Sequence, residues 1–195
     1  MNGLPSKRPI IVVIAGPNGA GKSTFFRAFF QDTGLPFVNA DFIAREVGTG
    51  DIYEAAMQAA MMRHEYVLQR ESFIFETVLS DPVGDKIDFL KNAADSGYAV
   101  VLCFIGLASA NISEARVAMR VSQGGHDVPA EKLRARYPRS LENLKRSVTQ
   151  LPYVRIYDNS DLEKPFSLVA EYHASTLVRH VSQTPDWLVS LQLPE

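Results

Sequence analysis

Short apolar runs recur along the chain, each closed by glycine or by a polar step. Ile10-Ile11-Val12-Val13-Ile14 leads into Gly16, Leu35-Pro36-Phe37-Val38-Asn39 into Ala40-Asp41, and Ser72-Phe73-Ile74-Phe75 into Glu76-Thr77. Tyr98 to Ile105 is almost wholly apolar, and Tyr153-Val154-Arg155-Ile156-Tyr157 ends at Asp158-Asn159-Ser160. Runs of this length, rich in β-branched residues and apolar on both faces, are what strands of a parallel sheet require when helices cover both sides. Helical spacing fills the intervals: Thr24 to Phe30, stopped near Thr33-Gly34; a long Ala- and Met-rich stretch over 51–70; and a stretch that opens at Asp81-Pro82, with Asp81 as N-cap, and runs to Ser96-Gly97. Met57 and Met61 are expected in the core. A last helix is expected over 166–181, followed by a tail with no readable role. The expected fold is α/β, a mostly parallel sheet flanked by helices, in one domain spanning 1–195.

The strand-helix rhythm breaks between 111 and 150. Two helical segments there are joined by Gln123-Gly124-Gly125-His126-Asp127-Val128-Pro129. Arg116, Arg120, Lys132, Arg134, Arg136, Arg139, Lys145 and Arg146 outnumber Glu114, Asp127, Glu131 and Glu142 in this insertion, although the whole chain carries a net charge of −2. A local cationic flap over a polyanionic ligand fits that asymmetry, and the Gly124-Gly125 pair would permit it to bend. The competing reading is a solvated hairpin whose arginines face water.

Composition narrows the class only a little. At 195 residues with 46% hydrophobic residues, the chain can bury a core of ordinary size. Its near-neutral charge gives no general pull toward nucleic acid or anionic membrane. The single cysteine, Cys103, lies in the Tyr98 to Ile105 run and reads as a buried strand thiol. No apolar segment suits a membrane span or a signal peptide, so a cytoplasmic protein is expected.

The chemistry enters at Gly16-Pro17-Asn18-Gly19-Ala20-Gly21-Lys22-Ser23-Thr24, a G-x-x-x-x-G-K-S sequence set between a strand and a helix. Its backbone N–H groups can turn inward around an anion, the helix adds the positive end of its dipole, Lys22 can reach the β- and γ-phosphates, and the Ser23 hydroxyl can hold Mg²⁺. All nine residues are therefore assigned to ATP and its metal, with the fold sharpened to P-loop NTPase or kinase-like. Asp41 follows the second strand on the edge where ligands of α/β sheets sit, and can serve as a base toward an acceptor hydroxyl. Asn159, in the turn-rich corner on that same edge, is assigned to the nucleotide side. A transporter ATPase would carry a Leu-Ser-Gly-Gly-Gln-like signature and a strand ending in Asp-Glu, and a GTPase an Asn-Lys-x-Asp step; neither stands in this sequence. A kinase layout remains, its arginine-bearing lid lying before the last of these strands. Asp41 could equally be a helix N-cap, and Glu76 a structural acid paired with an arginine.

Taken in order, Asn39-Ala40-Asp41-Phe42-Ile43-Ala44, Ser72-Phe73-Ile74-Phe75-Glu76-Thr77-Val78-Leu79-Ser80, Arg116-Val117, Arg120-Val121, Gly124-Gly125-His126-Asp127-Val128-Pro129, Arg136-Tyr137, Arg139-Ser140, Asn143-Leu144 and Tyr157-Asp158-Asn159-Ser160 resemble the zeta toxin family, in particular its stand-alone chromosomal branch. The resemblance runs from about 10 to 160. It implies ATP-dependent phosphorylation of the sugar 3′-hydroxyl of UDP-N-acetylglucosamine, with an antitoxin protein as a possible partner; no membrane partner is expected, and the near-neutral charge disfavours nucleic acid although the basic lid keeps it open. By position, Lys22 and Ser23 resemble the nucleotide and magnesium ligands and Asp41 the general base. Glu76 and Thr77 resemble the acceptor-sugar site, and Arg120 and Arg136 the lid arginines that clamp phosphate. The family's spacing between its two arginines differs, so Arg116, Arg134 or Arg139 could take either lid role. Two further readings stay open: a kinase for another small metabolite or a nucleic-acid end, and an ATP-binding regulatory module with little turnover, the latter because no strand ends in the usual Walker B aspartate.

Overall fold

The computed structural model describes residues 4–6, 8–47, 52–124, 127–181 and 183–194. Seven strands form one sheet in the order β2-β3-β1-β4-β5-β6-β7. The first five are parallel: β1 (Ile10–Ala15), β2 (Phe37–Val38), β3 (Phe73–Thr77), β4 (Ala99–Gly106) and β5 (Tyr153–Asp158). β1 lies between β3 and β4, with Ala15 opposite Thr77 on one side and Phe104 on the other. The carboxyl ends of these strands therefore open onto one crevice beside the glycine-rich loop, the position where α/β sheets bind ligands. β4 is the middle strand and is buried over its whole length, as its unbroken apolar sequence requires.

Helices cover both faces. Ile10, Val12, Ile14, Ile74, Val101, Cys103 and Ile105 pack with Phe25 and Phe30, the former carried by α1 (Lys22–Phe29). The opposite face, built on Ile11, Val13, Phe73, Phe75, Val100, Leu102 and Phe104, is covered from α3 (Ile52–Leu68), α4 (Asp85–Asp95) and α6 (Ala130–Gln150). The short α2 (Ala40–Val47) follows β2, and α5 (Ala110–Ser122) with α6 forms the helical insertion expected over 111–150. Ser109 caps α5, its hydroxyl accepting the N–H of Ile112 at 3.3 Å. Cys103 is buried, and burial pushes its thiol up to about 12, so it stays protonated at neutral pH.

Four expectations are corrected. The stretch over 166–181 is a hairpin, β6 (Ser167–His173) and β7 (Thr176–His180), antiparallel to β5. Val169, Ala170 and Tyr172 are buried where the sheet continues. Its two-residue turn, Ala174-Ser175, takes positive φ at both positions, 45° and 68°, which is the geometry of a tight hairpin turn. Ala-Ser gives no sequence warning of such a turn, whereas Asn-Gly would have. The helix opened at Asp81 begins instead at Asp85; the Asp81 carboxylate accepts the N–H of Gly84 at 2.7 Å and closes a turn ahead of it. Met57 and Met61 are not core: they are 65% and 71% exposed, because α3 turns its small residues Ala55 and Ala59 inward and these two methionines outward. The tail has a structural part to play. In α7 (Asp186–Val189), Trp187 packs against Gly106, where a Cβ would meet its ring at 2.2 Å, and its indole N–H donates to Asp158 at 3.0 Å.

Candidate active site

The loop between β1 and α1 is shaped by its glycines. Gly16 has φ 141° and a Cβ there would fall 2.2 Å from the carbonyl oxygen of Ile105, so only glycine lets the loop leave the sheet at this point. Gly21, at φ 88°, precedes α1 and lies close under Asn159. Pro17 and Ala20 are buried and Thr24 is exposed on the first turn of α1. The Asn18 carbonyl accepts the hydroxyl of Ser113 at 2.6 Å, which ties the loop to α5. Asn159 is 5% exposed; its side-chain amide donates to the Ala20 carbonyl at 2.9 Å and its oxygen accepts the N–H of Phe166 at 3.3 Å. The Asn159 amide therefore holds the loop through its nitrogen and the segment before β6 through its oxygen.

Lys22 is buried and donates to the Pro17 carbonyl at 3.1 Å, across the loop. Burial holds its pKa below the ordinary lysine value. Glu76 and then Asp41 oppose that shift, while Arg120 and Arg136 reinforce it. One carboxylate from the end of β3, one from the first turn of α2 and two guanidinium groups from the two lid helices thus act on one ammonium. Of the site residues expected from sequence, Glu76, Asp41, Arg120 and Arg136 are the ones whose charges reach Lys22.

Glu76, at the end of β3, is engaged by the loop. Its Oε2 accepts the Ser23 hydroxyl and the Asn39 amide, each at 2.8 Å, and its Oε1 lies 3.8 Å from Lys22 Nζ. β3 runs beside β1, so an acid stands next to the loop serine where no strand-end aspartate was legible. Asn39 then links this acid to α2: its Oδ1 accepts the N–H of Asp41 at 2.8 Å and of Phe42 at 3.2 Å. Asn39, not Asp41, caps the helix, and the Asp41 carboxylate is left exposed toward the cleft. Thr77 is nearly buried, its hydroxyl oxygen accepting the N–H of Leu79 at 3.1 Å, which supports a residue at φ 56°.

The lid arginines separate by their contacts. Arg134 makes a two-pronged bond to Glu114, 2.8 and 2.9 Å, and so clasps α6 to α5. Arg116 donates to the Ser160 carbonyl at 3.2 Å, and Arg139 to the Ala135 carbonyl at 3.0 Å. Arg120 and Arg136 are the two that act on Lys22. The second half of α6 is pinned to the loop after β3. Ser140 donates to Val78 O at 2.8 Å, and Asn143 to Leu79 O and Asp81 O at 3.0 and 2.9 Å. Tyr137 donates to Leu107 O at 2.7 Å, its hydroxyl pushed up to about 12 by burial. Gly125 and His126, and with Gly125 the expected bending point, lie outside the described residues.

Sequence reasoning missed Asn39 as the link, Ser113 as the loop tether and Trp187 as the support of Asp158. Only Asn39 carried a usable signal, an asparagine directly before a helix.

A Mg²⁺ ion suits this donor set. Ser23 Oγ and Glu76 are hard oxygen ligands side by side, and magnesium at a nucleotide asks for one or two such groups, the remainder being phosphate and water. Among the described residues no group of three or more His, Cys, Asp or Glu could hold a metal by itself.

The profile of the family described as Zeta toxin matches residues 52–166. An uncharacterized protein of Haemophilus influenzae is 32% identical over 131 residues, which are 65% of this chain and 91% of that protein. Among solved structures, the AvrRxo1-ORF1:AvrRxo1-ORF2 complex with sulphate ions superposes with a TM-score of 0.66 at 18% identity, over 95% of this chain and 65% of that one. With ATP the same complex gives 0.64 at 17% identity, over 88% and 60%. The PezAT chromosomal toxin-antitoxin system of Streptococcus pneumoniae gives 0.62 at 19% identity, over 97% and 80%. This chain thus spans 60–65% of the length of the AvrRxo1 chains that it matches. At these identities the superpositions establish a shared fold. With the family match reaching from α3 to the residue before β6, the chain belongs to the zeta toxin family, and it shares the fold of the P-loop kinases.

Proposed function

We propose that this protein transfers the γ-phosphoryl group of ATP to a sugar hydroxyl of a nucleotide sugar, with UDP-N-acetylglucosamine as the first acceptor to test. The carrying observation is the convergence of Glu76, Asp41, Arg120 and Arg136 on the buried Lys22. A donor phosphate needs positive charge and N–H groups around it, and an acceptor hydroxyl needs a base within reach. In this reading the loop amides and Lys22 hold the β- and γ-phosphates, and Arg120 and Arg136 neutralise charge that builds on the migrating group. The acceptor oxygen bonds to the γ-phosphorus, the bond from that phosphorus to the bridging oxygen breaks, ADP leaves, and the hydroxyl proton passes to the Asp41 carboxylate. Ser23 and Glu76 would hold Mg²⁺, which screens the phosphate charge when bound. Thr77 supports the acceptor side, and Asn159 acts on the nucleotide through the loop that it braces.

The ATP-bound AvrRxo1 complex, which shares the fold, supports ATP as donor. Because AvrRxo1-ORF1 with ORF2, and PezAT, are assemblies of two proteins, an antitoxin-like protein is a reasonable partner to seek. We place the protein in the cytoplasm, where ATP and nucleotide sugars are made; among the described residues no helix is long and apolar enough to cross a membrane.

The test is transfer of label from γ-labelled ATP with Mg²⁺ to a panel of UDP-sugars, small polyols and oligonucleotides, alongside Lys22→Ala and Asp41→Asn. Transfer to UDP-N-acetylglucosamine that both variants lose supports the proposal. Transfer only to polyols or oligonucleotides moves the acceptor assignment, and transfer undiminished in Asp41→Asn sinks the assignment of the base.

A further inference from the structure

Arg63 is a partly buried cation on α3 that neither the fold nor the proposed chemistry uses. α3 runs antiparallel to β3. Its last turns lie at the amino ends of the strands, where Tyr66 stacks on Phe73 with ring centroids 5.2 Å apart and the Tyr98 hydroxyl donates to Tyr66 O at 3.0 Å. One turn earlier on the same helix, Arg63 sets its guanidinium over the ring of Phe75, 5.1 Å from the centroid. The climb from Phe73 to Phe75 is toward the carboxyl edge, and the next residue on that face of β3 is Thr77. Side chains on a helix lean toward its N-terminus, which here is the direction of the catalytic edge.

The guanidinium has five N–H donors, and an aromatic face accepts none of them in full. Among the described residues no carboxylate lies within ion-pair distance of Arg63. Burial alone depresses its pKa, with no acid opposing, in contrast to Lys22, which has two. A cation that is partly desolvated, stacked on one face and left with its fork of donors unspent is costly to keep unless an anion arrives to use them.

We infer that Arg63 is a specificity-determining residue of the acceptor site, its guanidinium binding an anionic oxygen cluster, phosphate or carboxylate, carried by the acceptor beside the hydroxyl that is phosphorylated. This rests on the kinase reading above and adds to it the charge of the preferred acceptor. Phe75 holds the guanidinium plane, so the fork presents a fixed face to a two-oxygen group; lysine cannot reproduce that geometry.

The experiment compares wild type with Arg63→Met, which keeps the stem over Phe75, and with Arg63→Lys, which keeps the charge. Acceptors are UDP-N-acetylglucosamine, N-acetylglucosamine 1-phosphate, glucuronate and neutral N-acetylglucosamine, with KM and kcat read for each. Arg63→Met is expected to raise KM about 10- to 100-fold for the charged acceptors that wild type uses, at least tenfold more than for the neutral one, with Arg63→Lys between. Phosphate-bearing acceptors responding without glucuronate identifies phosphate as the anion, and the reverse identifies carboxylate. Equal losses for charged and neutral acceptors, or no loss, overturn the inference. If wild type phosphorylates none of these, the kinase reading fails separately, and Arg63 is then decided by equilibrium dialysis of N-acetylglucosamine 1-phosphate and glucuronate onto protein saturated with a non-hydrolysable ATP analogue. Saturable binding of either that weakens at least tenfold in Arg63→Met upholds the anion site; no binding to wild type, or equal binding to both proteins, overturns it.

Discussion

The two halves of the cleft are held in different ways. On the donor side nearly every turn of the loop is braced by a buried or half-buried contact: Asn159 under Ala20, Ser113 against Asn18, Lys22 across to Pro17 and Ser23 onto Glu76. On the proposed acceptor side Asp41, the proposed base, stands on the first turn of a short helix, exposed, and joins the rest through Asn39. A triphosphate is the same in every ATP enzyme and rewards a preorganised cradle, because donors fixed in advance need no reorganisation at the moment of transfer. An acceptor differs between enzymes, and its half of the site is carried by elements that can vary without disturbing the sheet.

The largest expected effect tests the donor half. Lys22→Ala should lower phosphoryl transfer by about a thousandfold or more while the circular dichroism spectrum and melting temperature stay near wild type, since the substitution also removes a buried charge. A fall of less than tenfold would mean that the loop amides carry the phosphate alone. Asp41→Asn comes next. With an exposed side chain and the cap supplied by Asn39, it should cost about 10²- to 10⁴-fold in kcat and leave ATP affinity and stability untouched. Loss of stability in this variant would erase the contrast between the halves.

Asn159→Ala is expected to act through the brace. It leaves the Ala20 carbonyl and the Phe166 N–H unpaired in a buried place, at a cost of about 1–3 kcal/mol each way of counting, read as a lower melting temperature together with a raised KM for ATP. A normal KM for ATP in a destabilised protein would show that Asn159 supports the sheet corner and not the loop. The lid clasp should matter least: Arg134→Gln breaks an exposed pair with Glu114 and should leave the melting temperature close to that of wild type.

One pH effect has a definite sign. Burial puts the folded-state pKa of Lys22 below its unfolded value of 10.5, so charged lysine costs stability at neutral pH, and that cost is relieved as pH rises through the lowered pKa. Bound triphosphate supplies negative charge and raises the pKa again. ATP binding should therefore take up a proton on the alkaline side below 10.5, measurable as a dependence of the binding heat on buffer ionisation enthalpy, and Lys22→Met should abolish that uptake.

The sequence determined by itself whatever rests on neighbours in the chain: the five parallel strands, the loop at Gly16 to Thr24 and the two lid helices were legible because burial pattern and glycine spacing are local. The resemblance to the zeta toxin family was legible for the same reason, from short motifs in a fixed order. Only the tertiary structure decided what depends on partners far along the chain. The hairpin at Ala174-Ser175 exists because β5 offers an edge to pair with, and that edge overrides the helical look of the segment. Glu114, Ser160 and Ala135 engage Arg134, Arg116 and Arg139, contacts that no pattern along the chain announces. The acid beside the loop serine emerged only when β3 was seen to lie next to β1, since strand order is a property of packing and no single strand encodes it.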